Sequence, residues 1–149
     1  MKFEHRIVVD APIAKVATFL EDIPAAAACV PGVENVTPDP AVPDTYNGHV
    51  RVRLGPLGFT VAGRAHLDRA DDGAWRLTGE GRDPRVGAGV TATLEARLEA
   101  TTVARTAVAI VADVQFSGRL SELGQPLIRR KADQMVEAFG ANLRRAVEG

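Results

Sequence analysis

The stretch that decides the fold is residues 45–68, TYNGHVRVRLGPLGFTVAGRAHLD. Apolar and polar side chains alternate through it on both sides of a turn at residues 55–58, and a period of two is typical of strands with one buried face. A short turn between two such runs joins antiparallel neighbours. Strands are therefore predicted at Thr45–Leu54 and at 59–68, with these residues on the dry face: Tyr46, Val50, Val52, Leu54, Phe59, Val61, Ala65 and Leu67.

The same alternation continues on both sides of this pair. The sequence predicts a first strand at Lys2–Val9, a turn at 71–73, a strand at 75–82, a loop at 83–89, and two further strands at 90–99 and 105–116. We expect about seven antiparallel strands in all. The last strand is apolar on both faces in its middle, so one outer patch there is predicted to be covered.

Helical periodicity frames the strands. Ile13, Val16 and Phe19 recur at helical spacing after Pro12, and Asp10 or Ala11 is the predicted N-cap. Residues 22–24 break this helix, one more helical turn is predicted at 25–29, and Pro31-Gly32 ends it.

A long C-terminal helix is predicted from Leu120 onward. Its apolar stripe is about seven turns long, far more than a surface helix needs. Pro126 predicts a kink or a re-initiated helix near the start. The stripe consists of Leu120, Leu123, Leu127, Met135, Phe139, Leu143 and Val147, with Ile128, Ala132 and Val136 beside it.

This order of elements predicts an α+β fold in which a curved antiparallel sheet wraps around the C-terminal helix. We expect a single domain over residues 1–149, since 149 residues with 46% apolar and 25% charged side chains suit one globular core. The net charge of -1 disfavours nucleic-acid binding.

The single cysteine, the charged N-terminal residues and the short apolar runs of at most six residues indicate a cytoplasmic protein that does not span a membrane. Membrane contact, if it occurs, is expected to be peripheral.

The predicted inner face is unusually rich in small residues. Gly63, Ala65, Gly79, Gly81 and Ala92 all fall there, and glycine inside a strand marks curvature or a close approach by another group. The pattern predicts a cavity between sheet and helix that holds an apolar molecule. The alternative is a solid core in which the helix fills the gap. The predicted ligand-binding residues are Tyr46, Val50, Val52, Phe59, Val61, Trp75, Leu77, Gly79, Gly81, Leu94, Ala96, Leu127, Met135 and Phe139.

Reactive groups are few. Cys29 is predicted to be a buried packing residue, since it lies at the C-terminal end of a helical turn, where the dipole disfavours a thiolate. The three histidines have no metal-ligand spacing, so no metal site is predicted. His5, on the dry face, is a candidate donor to a ligand carbonyl or else a satisfied structural histidine. Tyr46 and Trp75 could contact the polar end of a ligand or simply pack in the core.

Several short motifs resemble the family of the G subunit of carbon monoxide dehydrogenase, within the START-related, helix-grip superfamily of lipid-binding proteins and polyketide cyclases. They span nearly the whole chain: Cys29-Val30-Pro31-Gly32, the Gly55-Pro56 turn, Gly79-Glu80-Gly81, Gly118-x-Leu120-x-x-Leu123-Gly124, Leu127-Ile128, Ala132-Asp133 and Phe139. The resemblance implies a helix-grip fold and an association with molybdenum hydroxylases. For some members it implies a quinone in the cavity and a C-terminal membrane tether.

The sequence departs from that family at two points. Many relatives have a second cysteine where this chain has Val33, so a paired-thiol role is not expected. The chain ends at Gly149, just after the helical stripe, so no tether is expected either.

Three functions follow as hypotheses. The favoured one is a non-enzymatic accessory or electron carrier that holds a quinone- or lipid-like molecule for a molybdenum hydroxylase such as carbon monoxide dehydrogenase, with no tightly bound cofactor. The second is a polyketide cyclase or hydrolase on the same fold, which needs an acid/base pair in the cavity. The third is a protein-binding adaptor with a filled core.

Overall fold

The structure is a computed structural model that describes residues 1–70 and 72–149, so Asp71, the first residue of the turn predicted at 71–73, lies outside the described residues. The elements in chain order are β1 (Lys2–Val9), α1 (Ile13–Glu21), α2 (Ile23–Ala28), β2 (Val33–Pro38), β3 (Thr45–Leu54), β4 (Leu57–Arg69), β5 (Trp75–Asp83), β6 (Ala88–Thr102), β7 (Arg105–Gly118), a 3-10 turn (Arg119–Glu122) and α3 (Gln125–Val147).

Within the described residues, the seven strands form one antiparallel sheet in the order β1-β7-β6-β5-β4-β3-β2. The long helix α3 packs against β1 at one side of the sheet and approaches β3 near the other. The predicted α+β architecture, a curved antiparallel sheet around a long C-terminal helix, with two short helices after the first strand, is confirmed.

Proline and its neighbours set the helix boundaries. Pro126 lies in the first turn of α3, where its missing N–H costs nothing, so the helix re-initiates there as predicted. α2 begins at Ile23, two residues earlier than predicted, because Pro24 fits its first turn and the Asp22 carboxylate accepts the Ala25 N–H at 3.3 Å.

The predicted N-cap of α1 is wrong. Pro12 occupies the N-cap position in an extended conformation and makes no side-chain cap hydrogen bond. The carboxylate of Asp10 is engaged elsewhere, because it accepts a hydrogen bond from Arg105 Nε at 2.8 Å.

Several strand boundaries also differ from prediction. The turn predicted at 55–58 is shorter because β4 begins at Leu57, and β6 and β7 extend beyond their predicted ends to Thr102 and Gly118. β2 is not among the individually predicted strands, because a register shift between Glu34 and Thr37 and a positive φ at Asn35 (57°) interrupt its alternation. The predicted loop at 83–89 is shorter, since β5 extends through Asp83 and β6 begins at Ala88. The turn between the strands is therefore confined to residues 84–87.

Residues that oppose each other in neighbouring strands share one face of the sheet, so the register defines the inner face row by row. One row contains Tyr46, Ala65, Gly79, Ala92 and Val114. The next contains Leu67, Leu77, Leu94, Ala112 and Phe3. A third contains Arg69, Trp75, Ala96, Ile110 and His5. The predicted dry-face residues fall in the inner rows, so the assignment of faces is correct.

The core divides into two clusters at opposite ends of the inner face. The first cluster lies under α1 and the C-terminal half of α3, and its buried members are Ile7, Val9, Ala11, Val16, Val108, Leu143 and Val147. The second lies beside the start of α3, and its buried members are Leu54, Phe59, Ala88 and Leu120.

Helix α3 is fastened closely to β1. A Cβ built on Gly140 would lie 3.3 Å from Ile7 Cγ2, so the glycine allows close contact between helix and strand. Two arginines of the helix donate hydrogen bonds of 3.0 Å to backbone carbonyls of this edge strand: Arg129 to Lys2 and Arg144 to Val8.

The outer side of β7 corrects one expectation. The predicted covering of one outer patch holds at Ala107, which is buried, but does not extend to Val111, which is 49% exposed. The charged neighbours of Val111 on β6 and β1, Glu95 and Glu4, keep the surroundings of this valine polar.

Candidate functional site on the concave face

The inner face keeps accessible surface between the two core clusters. We call this region the central patch. Its members lie on the inner face of the sheet, except for Met135 on α3. All are only half-buried, and none is a buried member of either cluster: Tyr46, Val50, Ala65, Leu67, Leu77, Gly79, Ala92, Leu94, Ala96, Ala112 and Met135. At about 3.3 Å per residue, the span from Ala92 to Ala96 along β6 makes the patch about 13 Å long.

Gly79 marks the open floor of the central patch. The three heavy atoms nearest to a Cβ built on it belong to Arg64 and Ala65 of the neighbouring strand, at 3.4 to 3.9 Å, and none of the three belongs to α3. Gly81 differs, because its Cβ would lie 2.5 Å from Val61 Cγ1. A first side-chain atom at Gly79 would therefore make ordinary contacts, whereas one at Gly81 would clash with Val61.

The structure sorts the predicted ligand-binding residues into three groups. Seven lie in the central patch: Tyr46, Val50, Leu77, Gly79, Leu94, Ala96 and Met135. Four belong to the second core cluster or pack against it and form one end wall: Val52, Phe59, Val61 and Leu127. The remaining three lie outside both groups. Phe139 packs against the first core cluster, and Trp75 is buried on the same side of the inner face. Gly81 is buried beside Val61.

Four patch residues are absent from the predicted site: Ala65, Leu67, Ala92 and Ala112. Alternation places all four on the dry face, and Ala112 lies opposite Leu94. The cross-strand neighbours of these residues become evident only from the strand register, which a single sequence does not fix.

Most polar groups on the inner face are paired within the protein. His5 Nε2 lies 2.9 Å from Asp133 Oδ1, which joins β1 to α3 and identifies the histidine as structural. Thr106 Oγ1, fully buried, donates to the Ala11 carbonyl at 2.8 Å.

Asp83 is the only buried carboxylate among the described residues. Its carboxylate accepts hydrogen bonds from Arg85 Nη2 at 3.1 Å and from the Thr60 N–H at 2.8 Å. The Arg85 hydrogen bond, with help from that of Thr60, lowers the pKa of the Asp83 carboxyl. The charge is thus stabilised at the end of β5 and lies away from the central patch.

Trp75 is the exception to this pairing. Its side chain is buried, with 8% exposure, and among the described residues its Nε1–H has no hydrogen-bond partner. A buried donor left in this state costs about 1–3 kcal/mol. The tryptophan lies on the inner face opposite Ala96, in the row next to Leu77 and Leu94.

Cys29 is buried, as predicted. Its Sγ lies 3.7 Å from the Ala25 carbonyl oxygen, and burial raises the pKa of the thiol. Its own carbonyl accepts a hydrogen bond from Asn142 Nδ2 of α3 at 2.9 Å. These contacts give the cysteine a packing role between α2 and α3.

Two surface depressions lie beside the central patch. One, of about 440 Å³, is on the convex face, lined by side chains such as Arg64, His66 and Glu80 and by the backbone of Gly79. The other, of about 370 Å³, opens at the β7 edge beside the first turn of α3, and its lining includes the inner-face residues Val114 and Phe116. Since Val114 shares a row with Ala92 and Gly79, the second depression lies on the same face of the sheet as the central patch.

In the described part of the chain, residues 1–70 and 72–149, there is no group of three or more His, Cys, Asp or Glu side chains placed to hold a metal ion. Over the same residues, no helix combines the length and apolar character needed to cross a membrane. Two titratable inner-face side chains are well separated: His5 is bound to Asp133 at the β1 edge, and Asp83 is bound to Arg85 at the far end of β5.

The chain matches the CoxG family, that of the G subunit of carbon monoxide dehydrogenase, over residues 6–148. It belongs to this family. No curated protein matches the chain. The family assignment confirms the resemblance drawn from the Pro-Gly, Gly-Glu-Gly and C-terminal helix motifs.

Solved structures of low sequence identity share the helix-grip fold of this CoxG-family chain. A conserved protein from Geobacillus kaustophilus superposes with a TM-score of 0.87 at 13% sequence identity, and the match covers 99% of this chain and 95% of that protein. The ZhuI aromatase/cyclase from Streptomyces sp. R1128 superposes with a TM-score of 0.62 at 21% sequence identity, and the match covers 99% of this chain and 90% of that protein. A STAR-related lipid transfer protein from Xanthomonas axonopodis superposes with a TM-score of 0.63 at 14% sequence identity, and the match covers 96% of this chain and 85% of that protein.

Proposed function

We propose that this CoxG-family protein binds one apolar organic molecule, lipid- or quinone-like, on the central patch and carries it unchanged. The observation that carries the proposal is the half-buried central patch, a largely apolar stretch of the inner face whose residues are buried members of neither core cluster. Accessible apolar surface of this kind, concave and flanked by packed walls, is typical of small-molecule sites. The lipid-transfer protein of similar fold supports the same ligand class.

The expected affinity is moderate. If a ligand removed about 400 Å² of apolar surface from water, the gross gain would be about 10 kcal/mol at about 25 cal/mol per Å². The loss of translational and rotational freedom offsets several kcal/mol of that gain, which leaves an affinity of roughly micromolar order. Such a site releases its ligand readily, as a carrier requires.

The family description supports a partner. We propose that the carried molecule is a quinone and that it exchanges electrons with a molybdenum hydroxylase of the carbon monoxide dehydrogenase type, for which this protein acts as an accessory. Transport rather than conversion fits the inner face, because His5 and Asp83 are held by other residues and lie at opposite ends of it.

Ligand recovery tests the carrier proposal. The purified protein is extracted with organic solvent and the extract analysed by mass spectrometry, while stripped protein is titrated with menaquinone. We expect an apolar molecule to co-purify with the protein. We also expect saturable one-to-one binding of menaquinone, which should be recovered chemically unchanged. Protein that yields no lipid and binds no quinone would refute the proposal, and a chemically altered product would favour the cyclase or hydrolase hypothesis.

The partner proposal has its own test. A molybdenum hydroxylase is incubated with its substrate and menaquinone-loaded protein, and the absorbance of the quinone is followed. We expect substrate-dependent reduction faster than with the same amount of menaquinone in detergent alone. Equal rates would remove the hydroxylase from the proposal and leave the carrier function intact.

A further inference from the structure

The indole of Trp75 lies on the inner face beside the central patch. The guanidinium of Arg69 lies over its ring, 5.0 Å from the ring centroid. Arg69 is in turn paired with Glu21 of α1, with Nη1 and Oε1 2.6 Å apart. Because both side chains of this ion pair are about half exposed, the stack favours the ring orientation modestly.

The indole N–H is the one buried side-chain donor or acceptor of the described chain that has no partner. The other buried polar side chains of the inner face, Thr106 and Asp83, have short hydrogen bonds within the protein. An indole can only donate, and native proteins rarely leave such a donor unpaired. An acceptor from outside the chain is therefore missing at this position.

We propose that the ligand of the central patch carries a neutral acceptor oxygen, of the carbonyl class, which accepts a hydrogen bond from Trp75 Nε1–H. The proposal rests on the proposed function, because it assumes that the patch binds an apolar molecule. The apolar body of the ligand then lies along Leu77 and Leu94, the next inner row from Trp75. A neutral oxygen is specified because a charged group buried here would lose its hydration without a free counter-charge, since Arg69 is already paired with Glu21.

The position of Trp75 makes the proposal directly testable, because the chain contains a single tryptophan. A ¹H–¹⁵N correlation spectrum therefore holds one indole cross-peak. The protein is titrated with 2-acetylnaphthalene and with 2-ethylnaphthalene, which have nearly the same shape but differ in the acceptor oxygen. We expect both to perturb the amide resonances of the central patch, and only the ketone to move the indole proton downfield.

Trp75→Phe provides the matched variant, since it keeps an aromatic ring and removes the N–H. Wild-type protein should prefer the ketone to the hydrocarbon by about three- to tenfold, the range of one net hydrogen bond, and the variant should lose that preference. A thermal melt checks that the variant is folded. If the variant is unfolded, the response of the indole signal in the wild-type protein still tests the proposal.

The outcomes separate this inference from the proposed function. If neither probe binds, this inference fails, while the carrier proposal is decided separately by the lipid extraction and the menaquinone titration. If both bind and the indole proton responds equally to both, the carrier proposal stands and the acceptor is refuted. A strong cross-peak from the indole proton to water that persists with the ketone bound would show that a buried water is the partner, and would also overturn the inference.

Discussion

Gly63 of β4 and Gly81 of β5 oppose each other at a point where the two strands approach unusually closely. A Cβ built on Gly63 would lie 2.7 Å from the Gly81 Cα and would also clash with the Glu80 carbonyl oxygen. Only a residue without a side chain fits at Gly63 at this spacing of the two strands.

Replacing Gly63 should therefore be costly. We expect Gly63→Ala to destabilise the protein by about 1–3 kcal/mol or more, because the methyl group must displace backbone atoms. Gly79→Ala is the matched control, since its Cβ would make only ordinary contacts, at 3.4 Å and beyond. It should change stability by less than about 1 kcal/mol. Urea denaturation measures both, and equal destabilisation by the two variants would contradict the close approach at Gly63.

Filling the central patch should block ligand uptake. Gly79→Leu adds a side chain to the open floor, so we expect menaquinone or 2-acetylnaphthalene binding to weaken at least tenfold with the fold retained. Thr78→Leu is the control, because the neighbouring residue is exposed on the opposite face. Isothermal titration and circular dichroism provide the readouts. Unchanged binding by Gly79→Leu would show that the ligand does not occupy the patch. Gly81 is unsuitable for this test, since a side chain there meets Val61 first.

Alternation and turn chemistry are enough to predict the sheet, the inner face and the re-initiation of α3 at Pro126, because these depend on local periodicity. The division of the core into two clusters is not predictable in this way, since it depends on where α3 crosses the sheet. The same holds for the difference between Gly79 and Gly81. Both are small residues on the dry face, and only the contact of Val61 with one of them separates a cavity floor from a packed position.

The roles of individual polar residues are equally hidden. Helical spacing predicts a pair between Asp133 and Arg129, yet Asp133 binds His5, which is 128 residues distant in the chain. Arg129 instead lies over the ring of Phe3, 5.2 Å from its centroid. Long-range pairs of this kind follow from tertiary packing and leave no local signal in the sequence.

The His5–Asp133 contact should contribute modestly to the attachment of α3. A double-mutant cycle with His5→Phe and Asp133→Ala should give a coupling of about 0.3–1 kcal/mol, since the aspartate side chain is 70% exposed. Urea denaturation of the four proteins measures it. Strictly additive effects would mean that the contact has no energetic role. If α3 moves to admit the ligand, the variants should also release bound 2-acetylnaphthalene faster.

Asp83 should make the protein sensitive to acid. Its carboxyl has a lowered pKa in the folded state, chiefly because of the Arg85 hydrogen bond, so folding favours the ionised form. The contribution of Asp83 to the free energy of unfolding is complete above the ordinary aspartate pKa of about 3.9. It is lost as the pH falls through the lower pKa that Asp83 has in the folded protein. Asp83→Asn should therefore be less stable at pH 7 and should lose less of its stability between about pH 5 and pH 2.

Thermal melts across this pH range test the expectation for Asp83. Glu137→Gln, an exposed position on α3, is the control that should leave the slope unchanged. Some slope will remain in Asp83→Asn, because Asp39, Asp72 and Glu95 also have lowered pKa values. A variant with the full wild-type slope would contradict the buried role of Asp83.

Cys29 should be protected from thiol reagents in the folded protein. Burial raises the pKa of its thiol and screens Sγ from solvent, so the reactive thiolate is both scarce and inaccessible. We expect iodoacetamide at pH 8 to label native protein at least a hundredfold more slowly than protein unfolded in guanidinium chloride. Mass spectrometry after timed quenching measures the two rates. Rapid labelling of the native protein would show that α2 opens from α3, and would reinstate the cysteine as a candidate functional thiol.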